Sequence, residues 1–228
     1  MVSAAGGGHG RSASDGGREG RVFEDCADAA RSLSRALLDV PMKDAVALGL
    51  PRGGVPIAAR VAQELRIPLD VLIVRKLGVP THPEVAMGAI GESDVRLLDD
   101  RMVRTLGISA AEIDAVERRE RAVLRARVER LRAGRAPVDL RGRTALVIDD
   151  GIATGATASA ACRIARARGA ARVIVAAPVG SADGVRRIQN ADDVVCVRTP
   201  RDFGSVGAYY RNFEPTTDDE VFALLSVL

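Results

Sequence analysis

Two patterns of apolar residues alternate along the chain. One is the short unbroken apolar run, at residues 45–50, 69–74, 144–149, 172–177 and 193–197. Each is too short for a buried helix and is dominated by Val, Ile, Leu and Ala, as expected of a strand covered on both faces. The other is the longer stretch with apolar residues at helical spacing, at 22–38, 55–65, 156–168 and 182–189. Ser109 stands where a cap belongs for a long charged helix running to about residue 133. Ile113, Val116, Val123, Leu124, Val128 and Leu131 mark its buried face. Strand and helix in turn predict an α/β protein: a doubly wound, mostly parallel sheet with helices on both faces. Residues 95–98 predict one more short strand.

Elsewhere the patterning stops. Residues 1–20 are mostly Gly, Ser, Ala and Arg and have almost nothing to bury. They read as a disordered tail, leaving 21–228 as a single domain with a small hood from the chain ends. Residues 76–92 contain Gly78, Pro80, His82, Pro83, Gly88 and Gly91. They predict a long loop, partly hairpin, of the kind that closes over a site.

Composition narrows the functional classes. Of 33 basic residues only Lys43 and Lys76 are lysines, a bias that fits a GC-rich bacterial genome. The net charge of +3 is small and the arginines form no basic block, so no nucleic-acid partner is expected. No apolar run approaches the roughly 20 residues of a membrane span. No charged start leads into an apolar stretch, so no secretory signal is expected. Cys26, Cys162 and Cys196 lack metal spacing and, being odd in number, cannot all pair within the chain; a reduced cytoplasm is expected.

The chemistry concentrates in Leu146-Val147-Ile148-Asp149-Asp150-Gly151-Ile152-Ala153-Thr154-Gly155-Ala156-Thr157. A strand here ends in two acids, turns through Gly and Thr, and enters an Ala/Arg-rich helix. The turn and helix start offer backbone N–H groups and a positive dipole end to a phosphate. The carboxylates beside them are placed for sugar hydroxyls or a hydrated cation. A sugar phosphate satisfies both halves, whereas an ordinary βα turn leaves the Thr-Gly-Ala-Thr run unexplained. A Walker-type loop is excluded, because no Gly-Lys-Ser/Thr closes the turn.

Two further segments follow predicted strands. Pro51-Arg52-Gly53-Gly54 is a tight turn with a guanidinium suited to phosphate oxygens and glycines that admit a close ligand. Arg75-Lys76 opens the long loop with one of the two lysines. In open α/β sheets, ligands bind at such carboxyl ends. His82 reads best as a solvated loop histidine. His82, Glu84 and Glu92 are within the loop that would meet an acceptor. Five of the six aromatics fall late, at Phe203, Tyr209, Tyr210, Phe213 and Phe222, with Phe23 the exception. Core packing with the Phe23 helix is the preferred reading of residues 201–213, and a stacking wall for a planar base is the alternative.

The 146–157 run resembles the phosphoribosyl diphosphate (PRPP) signature of type I phosphoribosyltransferases. Leu-Pro-Arg-Gly-Gly-Val at 50–55, Val-Arg-Lys-Leu-Gly-Val-Pro at 74–80, Gly-Ala-Ile-Gly at 88–91 and the aromatic tail extend the resemblance to about residues 21–225, within a bacterial group of unassigned acceptor. It implies transfer of a 5-phosphoribosyl group from PRPP, carried with Mg²⁺, to a nitrogenous base, with release of diphosphate.

The resemblance also implies roles. Asp149 and Asp150 contact the ribose, and hold metal at most through water. Gly151, Ile152, Ala153, Thr154, Gly155, Ala156 and Thr157 cradle the 5-phosphate. Arg52, Gly53 and Gly54 bind diphosphate, with a non-proline cis peptide before Arg52 or Gly53. Arg75 and Lys76 begin the mobile loop, and Lys76 neutralises the leaving group. Arg52, Lys76, Asp149 and Asp150 are the catalytic candidates. A homodimer is implied as well. Ala153 stands where hypoxanthine–guanine enzymes carry a further Asp, which argues against a 6-oxopurine held in that manner. The loop matches the orotate enzymes poorly. A PRPP-sensing regulator without turnover and a hydrolase of phosphorylated sugars or nucleotides are the alternatives.

Overall fold

The computed structural model describes residues 22–92 and 94–226. The tail expected over 1–20 lies outside them. In chain order the elements are α1 (Cys26–Leu37), β1 (Ala45–Gly49), α2 (Gly54–Leu65), β2 (Leu69–Val71), β3 (Val74–Val79), β4 (His82–Gly91) and β5 (Arg96–Leu98). Then follow α3 (Asp100–Thr105), α4 (Ala110–Arg132), β6 (Thr144–Ile148), α5 (Ala156–Ala167), β7 (Arg172–Val179), α6 (Ala182–Arg186), β8 (Asp193–Arg198) and α7 (Asp218–Ser226).

Five strands form a parallel sheet in the order β2-β1-β6-β7-β8. Its central strands alternate between two buried faces, which is why their sequences are mostly apolar. Val46, Leu48, Val147 and Val175 face Ala158, Ala161 and Ile164 of α5. Ala47, Leu146, Ile148 and Ile174 face Leu33 and Leu37 of α1 and Ile57 and Val61 of α2. The winding reverses between β1 and β6, so their carboxyl ends flank the switch point.

The segment expected as a long loop, partly hairpin, is a hairpin almost throughout. β3 and β4 run antiparallel around Pro80-Thr81, and β5 joins β4 to make a separate three-stranded sheet. Two of the glycines that signalled a loop sit where backbone crowds them. A Cβ on Gly78 would meet the Pro83 carbonyl oxygen at 2.5 Å, and one on Gly88 the Leu97 carbonyl oxygen at 2.4 Å. The register slips on both sides of Gly78, and such irregularity hides the two-residue period. Leu77, Val79, Met87 and Ile90 fill a third core with α4, Val55 and α7. The hood is therefore built mainly from the middle of the chain, with only α7 from an end. The amino-terminal helix α1 lies instead on the parallel sheet.

α4 starts as expected, with Ser109 and Glu112 in a reciprocal capping box. At its far end Arg132 is buried between Asp70 and Glu92. Its Nη1 donates to Asp70 Oδ1 at 2.9 Å, and its Nη2 to Glu92 Oε1 at 3.0 Å and to the Val71 carbonyl at 3.0 Å. The carboxylates also accept from main chain: Glu92 from Ile73 N–H at 3.3 Å and Asp70 from Val138 N–H at 2.8 Å. Every partner of this buried charge is thus engaged, and the last turn of α4 is fixed to both sheets. Glu92, expected near an acceptor, is a structural counter-ion here.

Candidate active site

The 50–54 and 149–155 turns meet at the switch point. Leu50 N–H donates to the Ile148 carbonyl at 2.8 Å, and Gly54 N–H to the Leu50 carbonyl at 3.0 Å, closing the first turn. The Pro51–Arg52 peptide is cis. A Cβ on Gly53 would lie 1.7 Å from Asp150 Oδ2, and one on Gly54 2.4 Å from the Ile148 carbonyl oxygen. Only glycine lets the two turns touch this closely.

The second turn is anchored from behind. Ile152 N–H donates to the Val179 carbonyl at 2.9 Å, and Ser181 N–H to the Ile152 carbonyl at 2.8 Å. Gly155 has φ +76°, and its missing Cβ would fall 2.3 Å from the Gly184 carbonyl oxygen. Gly151 and Ile152 are buried, while Ala153, Thr154 and Thr157 are exposed.

Among the described residues the α-helix starts differ in how they are capped. α1, α3, α4 and α6 are capped by the side chains of Asp25, Asp99, Ser109 and Ser181. α2 and α5 begin instead at Gly53 and Gly155, with no side-chain cap. A helix start leaves N–H donors unsatisfied unless a side chain, water or ligand accepts them. At α2 the Gly54 and Val55 N–H groups are taken by the Leu50 and Arg52 carbonyls and Pro56 has none. At α5 only Ala156 N–H meets a local acceptor, Thr154 Oγ1 at 3.4 Å, so of the two starts bordering the acid pair it is the α5 start that suits a bound anion.

Asp149 and Asp150 retain some exposure but are otherwise enclosed. Burial, then the charge of Asp150, hold the Asp149 carboxyl well above the ordinary carboxylate range. Burial also raises Asp150, against hydrogen bonds that favour its ionised form. A pair enclosed this way gains from a cation or from hydroxyl donors. Among the described residues no three His, Cys, Asp or Glu side chains group as metal ligands.

The basic residues separate. Arg52 Nη1 lies 4.0 Å from Asp218 Oδ1 of α7. Arg75 and Lys76 are in β3, not at the end of β2, and successive strand side chains point to opposite faces. Arg75 forks onto Glu120 of α4, at 3.0 and 2.6 Å. Lys76 shares the face of Val74, which packs into the core containing Ala158 and Ala161 of α5. One phosphate therefore cannot take both side chains in this arrangement. His82 and Glu84 are exposed near the hairpin tip, where His82 Nδ1 lies 3.0 Å from Thr81 Oγ1.

The aromatic segment packs, as preferred from the sequence. Tyr210 is buried, with ring centroids 5.6 Å from Phe23 and 4.8 Å from Phe213. It also touches the site, through a hydrogen bond from its hydroxyl to the Asp150 carbonyl. Val206 seals Gly151, where an added Cβ would meet its methyls at 2.6 Å. Phe203 and Tyr209 stack at 5.6 Å, partly exposed. Neither the Tyr210 contact nor Asp218 is identified by the sequence; the scarcity of aromatics is the only signal for Tyr210. A cavity of about 420 Å³ beside Leu124, Val128 and Arg132 of α4 includes none of the site residues named above.

A family profile described as phosphoribosyl transferase domain matches residues 18–212. Proteins from two Mycobacterium tuberculosis strains, provisionally named phosphoribosyl transferases, are 54% identical over 206 residues, covering 90% of this chain and 46% of theirs. The chain thus spans about half the length of these curated relatives. The crystal structure of TT1426 from Thermus thermophilus superposes with a TM-score of 0.85 at 41% identity, covering 90% of this chain and 97% of that one.

Proposed function

The chain belongs to the phosphoribosyl transferase family, and on that premise we propose that it moves a 5-phosphoribosyl group from PRPP to a nitrogenous base or related acceptor, releasing diphosphate. The observation that carries this is the acid pair Asp149-Asp150, set between the uncapped start of α5 at Gly155 and the Gly53 turn that presses on Asp150. PRPP has an anion at each end of a diol, and the site offers the α5 helix start, the acids and the Arg52 turn in the same order. The start of α5, with Thr154 and Thr157, holds the 5-phosphate. Asp149 and Asp150 accept from the ribose hydroxyls. The 52–54 turn, Arg52 and Lys76 take the diphosphate.

Mg²⁺ bound with PRPP would supply positive charge to the diphosphate. Two adjacent carboxylates without further protein ligands fit a hydrated ion held mostly by substrate, through water on Asp149 and Asp150. The remaining work is positioning. The two turns fix the sugar at both ends, and Arg52 and Lys76 oppose the charge that grows as the C1–O bond lengthens. A homodimer belongs to the same reading.

The test incubates protein, PRPP and Mg²⁺ with a panel of nucleobases and metabolite extracts while diphosphate is followed. Release that requires an acceptor is expected. Release without any acceptor identifies a hydrolase, and tight PRPP binding without release identifies a sensor. Absence of both binding and release contradicts the proposal.

A further inference from the structure

The carboxyl-terminal helix reaches the proposed diphosphate turn from outside the parallel sheet. Asp218, the first residue of α7, has Oδ1 4.0 Å from Arg52 Nη1 and Oδ2 3.4 Å from Arg130 Nη1 of α4. Oδ1 is buried, and no described residue donates a hydrogen bond to it. Its contact with Arg52 is charge–charge only. Arg127, one turn before Arg130 on α4, also faces this carboxylate; burial disfavours its charge, Asp218 supports it, and Arg52 and Arg75 repel it. Nearby, Glu120 serves Arg75 and Asp219 lies 3.4 Å from Arg130. Asp218 is thus shared by three guanidinium groups, one of them in the 51–54 turn.

We propose that Asp218 is the internal counter-anion of Arg52, a positioning residue that draws this guanidinium off the diphosphate turn and so sets the affinity for anionic substrate. The inference rests on the assignment of residues 51–54 to diphosphate. A guanidinium shared with an internal carboxylate gives less to a phosphate, and the carboxylate itself repels the ligand. Binding of the diphosphate group exchanges one anion for another at Arg52.

Calorimetric titration with inorganic diphosphate, and separately with PRPP, each with Mg²⁺, tests this at two salt concentrations. Asp218→Asn is expected to bind both about tenfold more tightly at low salt, with the gain shrinking as salt rises. Asp219→Asn, one residue along and mostly exposed, should leave affinity unchanged. Asp218→Asn should give a much smaller gain in an Arg52→Ala background, where only its direct repulsion of the ligand is left, a dependence that a merely structural anchor for α7 would not show. Asp218→Ser replaces the asparagine variant should the latter not fold. If wild-type protein binds diphosphate and Asp218→Asn binds it equally or less well, the inference falls while the proposed function stands. If wild-type protein binds neither ligand, both fall.

Discussion

The Tyr210 hydroxyl donates a 2.7 Å hydrogen bond to the main-chain carbonyl of Asp150. A residue sixty positions after the acid pair thereby fixes the turn that carries it, and burial with the neighbouring Asp150 charge raises the phenol further above its usual range. Tyr210→Phe leaves that carbonyl without its donor while keeping the ring packing against Phe23 and Phe213. A loss of about 1–3 kcal/mol in denaturant-measured stability is expected, together with weaker PRPP binding.

Asp149 destabilises the ligand-free fold when ionised. Its folded pKa lies above the unfolded value because of burial and Asp150. Its contribution is fully favourable below about pH 4, the unfolded value, and is lost as pH rises through the raised folded one. Asp149→Asn should therefore raise the thermal midpoint at neutral pH and flatten its fall between acid and neutral conditions. The same substitution should strongly weaken PRPP binding. An Asn variant less stable than wild type at neutral pH would contradict the assignment.

Gly53 is where the two turns touch. Gly53→Ala drives a methyl into Asp150, since the added carbon would sit 1.7 Å from Oδ2. Asp150 must leave this rotamer or the turns must part, and with the acid displaced PRPP affinity or turnover is expected to fall about a hundredfold. Titration of the purified variant measures it.

Arg132 joins α4 to both sheets through Asp70 and Glu92. Arg132→Met strands two buried carboxylates, and a loss of about 3–5 kcal/mol is expected, measured by chemical denaturation. An effect within experimental error would mean that the network is open to water.

The parallel sheet was legible because its strands are buried on both faces, and an all-apolar run as short as Leu146-Val147-Ile148 suits little else between two turns. The acid pair and its Thr/Gly turn were legible as local sequence. The β3–β4 hairpin was legible only in part, because Gly78 and Gly88 answer to close backbone neighbours and read like loop residues. α7 does carry a local signal that apolar spacing alone misses. Thr217 and Glu220 form a reciprocal cap, with Thr217 N–H donating to Glu220 Oε2 at 2.7 Å and Glu220 N–H to Thr217 Oγ1 at 3.2 Å. Glu120 stands 45 positions from Arg75, and Asp70 stands 62 from Arg132. Asp218 comes to Arg52 from the far end of the chain, and no local pattern announces such pairs.

Calorimetric titration of PRPP with Mg²⁺ into wild-type protein and into an Asp149→Asn/Asp150→Asn variant tests the site most directly. Saturable binding by wild type and its loss in a variant that remains folded is the expected result. Equal affinity in the two proteins would show that the acid pair between the two turns is not where the pentose sits.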